Sequence, residues 1–151
     1  MLYEQDFFAW TKQQVNLLKE GRLRELDLPN LIEELEDMGR SNYRELESRL
    51  IVLVAHLLKW EYQWNQLQSQ WKEFEGKSWR NSIIEQRIQL IGLLEEMPSL
   101  QNFFQERLKR AYPQAIKLII KETDLLSTEF PAECPYSIDQ LLDEDFLPKP
   151  R

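Results

Sequence analysis

The sequence predicts an all-α fold, a single helical bundle of about five main helices with an extended C-terminal segment. Three observations carry that prediction. Apolar residues recur at alternating steps of three and four, most regularly as Tyr43, Leu46, Leu50, Leu53, Leu57, Trp60 and Trp64. That is the seam of an amphipathic helix, and no strand pattern competes with it. The chain holds only 4 Gly and almost no β-branched run. Residues that favour helix starts, Asp6, Asp27, Ser41, Ser78 and Ser99, stand just before the periodic stretches.

Taken in order, helix one spans about Asp6 to Glu20. Phe7, Trp10, Gln14 and Leu17 mark one face, and Gly21 stops it. Asp27 caps the next helix, with Pro29 inside the first turn, where a missing N–H costs nothing. Its apolar stripe is Leu28, Leu31, Ile32, Leu35 and Met38; Gly39 ends or bends it, and Ser41 caps the central helix, Tyr43 to Trp64. Ile51, Val54 and Leu58 widen that seam, so the central helix belongs in a core. Gln66 to Lys77 is polar with isolated aromatics and reads as a connection. Ser78 caps a fourth helix, Trp79 to Glu96, closed by Pro98, and Ser99 caps a fifth, Leu100 to about Leu126. Pro113 should kink or split this last helix. The bundle therefore covers residues 1–126 of one domain, 1–151. The tail, 127–151, should wrap it, with one short helix at Ile138 to Asp143 started by the capping-box pair Ser137 and Gln140.

At 151 residues the chain is long enough to bury a core without staples. Its formal net charge of −7 opposes the general attraction to phosphate that nucleic-acid binders use, so no DNA partner is expected. The single cysteine, Cys134, has no internal disulfide partner, which suits a reducing compartment. Met1 to Trp10 lacks the pattern of a secretory signal. The apolar run Leu50 to Leu58 is too short to span a bilayer. A cytoplasmic protein with no membrane contact is the expectation.

The informative residues are charges on apolar faces. At 100° per residue, Arg80 and Arg87 fall inside the face marked by Ile83, Leu90, Ile91 and Leu94. Glu122 falls inside the face of helix five, Glu34 and Glu36 flank the stripe of helix two, and Arg49 and His56 flank the central seam. A buried guanidinium cannot shed its charge and must find acceptors. Glu34, Glu36, Arg49, His56, Arg80, Arg87 and Glu122 are therefore expected to form an interior polar network tying helices two to five. A polar active-site cleft is the less common use of such a set.

No metal or cofactor is expected. A zinc or di-iron site in a bundle needs more histidine than the lone His56. Glu33-x-x-Glu36 resembles a motif of helical nucleotide pyrophosphatases, but the second acidic motif of those enzymes is not evident. Cys134 has no basic neighbour in sequence to activate it. Arg49 and His56, with six residues between them, are similar to the Arg-x4–6-His motif of HEPN helical ribonucleases. In those enzymes the pairs of two protomers cleave RNA across a dimer interface. Leu50 stands where that family usually has a polar residue, and the flanking Glu45 and Glu47 oppose RNA.

Five blocks, YEQDFFAW, LDLPNLIEELEDMGR, LVAHLLKWEYQ, SWRNSIIEQR and FPAECPYSIDQLLDEDFLP, run in order from Tyr3 to Pro148. Together they resemble the bacterial family known as domain of unknown function twenty-nine, abundant in cyanobacteria. Trp64 to Gly76 departs from the shorter, Pro-containing loop of many members. The resemblance implies an all-α fold and small stand-alone proteins, and it transfers no reaction and no catalytic residue. Two readings follow. The first is a non-catalytic module that binds a protein partner or a second copy, for instance as the acidic half of a pair like a toxin and its antitoxin. The alternative is a metal-independent ribonuclease using Arg49 and His56, with RNA as its partner.

Overall fold

The computed structural model describes residues 1–151 and is all-α, built from helices and 3₁₀ turns with no strand. The chain divides into two compact units, Met1–Asn42 and Tyr43–Arg151.

The first unit holds a single turn α1 (Leu2–Gln5), helix α2 (Phe7–Lys19), a 3₁₀ turn (Leu23–Glu25) and the start of α3 (Leu28–Tyr62). Asp6 caps α2, its carboxylate accepting from the Ala9 N–H at 3.0 Å. Gly21, at φ 71°, stops the helix. The Gly21 N–H donates to the Leu18 carbonyl and the Arg22 N–H to that of Leu17, the paired bonds of a Schellman motif. Asp27 then caps α3 while tying the unit together. Its carboxylate accepts from the Asn30 side chain (2.8 Å) and from Trp10 Nε1 (3.0 Å), and its N–H donates to the buried Gln14 side chain (2.8 Å). The Asn30 and Trp10 bonds hold the Asp27 carboxyl below its usual pKa.

The second unit is the bundle of the C-terminal part of α3, α4 (Trp64–Gln70), α5 (Lys77–Glu96) and α6 (Phe104–Glu122), with α7 (Ile138–Leu142) in the tail. Leu46, Leu50, Leu53 and Leu57 meet Ile83 and Leu90 of α5 and Leu108, Ala111, Ala115 and Ile119 of α6 in one core. Phe130, Tyr136 and Leu141 of the tail close it. The tail's short helix starts as expected: Ser137 Oγ accepts from the Gln140 N–H, and Gln140 Oε1 accepts from the Ser137 N–H.

Several boundaries differ from the sequence reading. Gly39 does not end a helix and Ser41 caps none, because α3 is continuous for 35 residues. A mid-helix glycine costs only about 1 kcal/mol against alanine. Here Arg40 also reaches back along the helix to Asp37, Glu36 and Glu33, which supports the turn on either side. At the other end, α3 stops at Tyr62 and Trp64 opens a separate helix, with Gln63 between them at φ −116°.

Ser78 does not cap α5; Gly76 does, in the left-handed region at φ 63°. A Cβ on Gly76 would lie 2.2 Å from the Trp64 ring. With the tryptophan against this glycine, the turn falls two residues earlier than the serine signal implied. Helix α6 begins at Phe104, since Pro98–Phe103 winds as 3₁₀, and it runs through Pro113 unsplit. Pro113 is exposed, so the Lys109 carbonyl it leaves free faces water. The helix ends at Glu122 and not near Leu126, because Thr123 Oγ1 donates to the Ile119 carbonyl and accepts from the Leu125 N–H. Such local bonds compete with helix continuation.

Two glycines test this description in opposite directions. Gly39 has nothing within 4 Å of an added Cβ, so Gly39→Ala should raise stability by about 1 kcal/mol if the helix is continuous there. Gly76→Ala meets both a left-handed backbone and an indole ring, and should lower it by about 2–4 kcal/mol. Urea unfolding of the two variants against wild type measures both.

Candidate interaction surface

The charges singled out in the sequence do not form one network. Arg87 is the one fully interior member, 2% exposed. Its partners are not the expected carboxylates. Nε donates to the Leu141 carbonyl (3.0 Å) and Nη2 to that of Gln140 (3.1 Å). Those are end carbonyls of α7, which have no partner within the helix and carry its negative pole. The Phe146 ring covers the guanidinium at 5.9 Å. Burial lowers the Arg87 pKa and the nearby Asp143 opposes that, but a guanidinium remains charged.

Arg80 is exposed. It lies seven residues, roughly 10 Å, up α5 from Arg87, and it has no counterpart of the α7 carbonyls. Glu122 is exposed too and pairs with Lys59. Glu34 accepts from the Tyr3 hydroxyl, whose pKa is pushed up to about 12 chiefly by that bond. Glu36 is exposed, 3.7 Å from Arg40. Arg49 reaches Gln86 at 3.4 Å and Glu45 at 3.8 Å. His56 is half-buried and ties no helices together; its Nδ1 lies 2.8 Å from the Val52 carbonyl of its own helix. A carbonyl only accepts, so Nδ1 carries the proton. Burial lowers the His56 pKa; the Val52 bond and Glu122 oppose this, while Lys59 adds to it.

The interior polar groups that do meet were not singled out. Glu61, 7% exposed, accepts from the Tyr136 hydroxyl (2.9 Å) and from Arg151 Nε (2.6 Å). The Arg151 N–H also donates to the Glu61 carbonyl. Burial and the adjacent Glu61 charge raise the Tyr136 pKa. Glu47 accepts from Arg110 Nε, with Arg107 3.6 Å away over the Tyr43 ring. The helical wheel offered one signal: Glu61 follows Leu57 at four residues, on the seam face. None of these clusters pairs a nucleophile with a base. A recess of about 710 Å³ lies against Tyr3, Trp10 and Asp27 in the first unit and has no histidine or cysteine in its wall. No group of three or more His, Cys, Asp or Glu is placed to hold a metal. No helix is long and apolar enough to cross a membrane.

What the first unit does display is apolar surface. On α3, Leu28, Ile32, Leu35 and Met38 are 55, 54, 66 and 64% exposed. On α2, Phe8, Val15 and Leu18 are exposed as well. Tyr3 of α1 reaches Glu34 while Trp10 of α2 reaches Asp27, so the α1–α2 segment runs antiparallel to the start of α3. In each helix the exposed apolar arc lies about 100° round from the residues facing its neighbour, in the same rotational sense. In an antiparallel pair, the two arcs then open on one side. Fully burying one such side chain is worth about 1.5–3 kcal/mol, and soluble proteins seldom leave a contiguous apolar face uncovered without use for it.

Two measurements probe the interior groups. Arg87→Ala should cost about 3 kcal/mol or more, since it strips charge-assisted bonds from one buried and one half-buried carbonyl. Arg80→Ala should stay within about 0.5 kcal/mol. For His56, the folded pKa lies below the ordinary value of 6.5. Above that pH both states are neutral. As the pH falls below it the unfolded chain takes the proton first, so stability drops until the folded pKa is passed. Unfolding curves from pH 7.5 to 5 should therefore fall more steeply for wild type than for His56→Gln.

The family described as "Domain of unknown function DUF29" matches residues 2–147. No curated protein and no solved structure matches significantly. The match covers both units, including the α2–α3 pair with its exposed face and the tail that reaches Arg87, and the chain belongs to the DUF29 family.

Proposed function

We propose that this protein is a non-catalytic interaction module that docks a protein partner on the exposed apolar face of α2 and α3. The observation that carries the reading is the run Leu28, Ile32, Leu35 and Met38, spaced as the anchors of a helix-in-groove contact and each more than half exposed. Carboxylates border that run, and the chain's charge of −7 suits the acidic member of a pair such as a toxin and its antitoxin. The ribonuclease reading draws less support. The one hydrogen bond of His56 is to its own helix, burial disfavours its charged form, and Arg49 is engaged by Glu45 and Gln86.

A photo-crosslinking residue at position 32, in cells making the full-length chain, tests the module. An adduct to one defined protein should form from position 32, be absent from position 80, and disappear when Leu35→Asp is added. Equal labelling from both positions would remove the case for this face. Cleavage of RNA by the purified protein, lost in a folded His56→Ala variant, would install the nuclease instead.

A further inference from the structure

We propose that the occupant of the α2–α3 face is an amphipathic helix of a different protein, with Lys or Arg flanking its apolar stripe. The proposal rests on the docking reading above and adds the partner's chemistry.

Charge argues for it. Residues 1–42 carry nine carboxylates against five Lys and Arg side chains. At 100° per residue from Leu28, the stripe spans Met38, Leu35, Leu28 and Ile32, and Glu36 and then Glu33 follow at its free edge. Glu33 and Glu36 on that edge, and Asp37 further round at about 180°, are all at least half exposed and share one cation, Arg40. Two of those three contacts are long, at 3.6 and 3.7 Å. The edge therefore keeps a net negative charge beside apolar surface. A helix seated on the stripe would bring its flanking residues against this edge, where opposite charge is favoured and like charge excluded.

The same geometry disfavours a second copy. A two-fold pairing must set the face against itself. With the axis across the helices, α3 lies on α3 and the acidic edges meet. With the axis along the helices, α3 lies on the copy's α2. The Tyr3–Glu34 bond sets the α1 turn level with Glu34, so the copy's exposed Glu4 arrives near the acidic edge of Glu33 and Glu36. Both arrangements put carboxylate against carboxylate.

The test uses the full chain and three labelled 22-residue peptides, read by fluorescence anisotropy. One has leucines at helical spacing flanked by lysines, one has the same leucines flanked by glutamates, and one is the lysine peptide scrambled. The lysine helix should bind at least tenfold tighter than the other two. Its affinity should fall with added salt, and Glu33→Lys with Glu36→Lys should invert the preference between lysine and glutamate helices. Leu35→Asp, at an exposed position, should abolish binding with the circular dichroism unchanged. Equal binding of lysine and glutamate helices, both lost in Leu35→Asp, would overturn the charge assignment and leave the docking face standing. Binding of the scrambled peptide as tight as the ordered one, or binding indifferent to Leu35→Asp, would overturn both. A wild-type dimer in sedimentation equilibrium that Leu35→Asp converts to monomer would give the face to a second copy and overturn the proposal.

Discussion

The second unit depends on a charge with almost no access to water. Arg87 stands in the middle of the buried face of α5, among Ile83, Leu90 and Leu94, where an unpaired guanidinium would be several kcal/mol out of place. The tail resolves the problem by ending a short helix on it. Two carbonyls without helical partners and one cation without a carboxylate satisfy one another. Leu141 is thereby set into the core with no exposure, and the path of the segment from Ser137 onward is fixed by a polar requirement as much as by apolar packing. Glu61 makes the same bargain near the end of α3, drawing in Tyr136 and Arg151. The tail is thus held at two points, each a buried charge on a long helix met by groups the tail supplies.

The first unit is organised differently. Its order comes from one capping residue, Asp27, which joins the α3 start to Trp10 and Gln14 of α2. Only Trp10, Gln14 and Leu17 of α2 are buried, and no residue of α3 before Asn42 is. Polar ties and a small apolar contact hold the pair, and the wider apolar arcs remain outside it. A pair built this way holds its apolar surface preformed, so a partner docking there, as proposed, would not have to await folding of the surface.

The helical periodicity was legible in the sequence because it needs only local spacing, and the caps at Asp6, Asp27 and Ser137 were legible because they act within three residues. Two boundaries failed on local grounds, at Gly39 and Thr123, and the other failures depended on contacts distant in sequence. Ser78 carried a valid cap signal and lost to Gly76, since the Trp64 ring lies against that glycine. Arg80 and Arg87 share one face by the wheel and have opposite fates, because the tail covers one position and not the other. The acceptors of Arg87 were unforeseeable as residues: they are main-chain carbonyls, and any side chain at 140 and 141 supplies them. The stripe of helix two was correctly drawn, but periodicity cannot say whether an apolar face looks into its own core or toward another molecule.

The five tryptophans are distributed in a way that gives each unit its own voice in fluorescence. Trp60, Trp64, Trp71 and Trp79 cluster with Phe74 around the Gly76 turn, in the second unit. Trp10 is the first unit's sole indole, 3% exposed and hydrogen-bonded to Asp27. An ionic quencher reaches Trp71, more than half exposed, long before it reaches Trp10. Melting of the first unit is therefore audible as the unmasking of a single shielded emitter, against a background set by the other four.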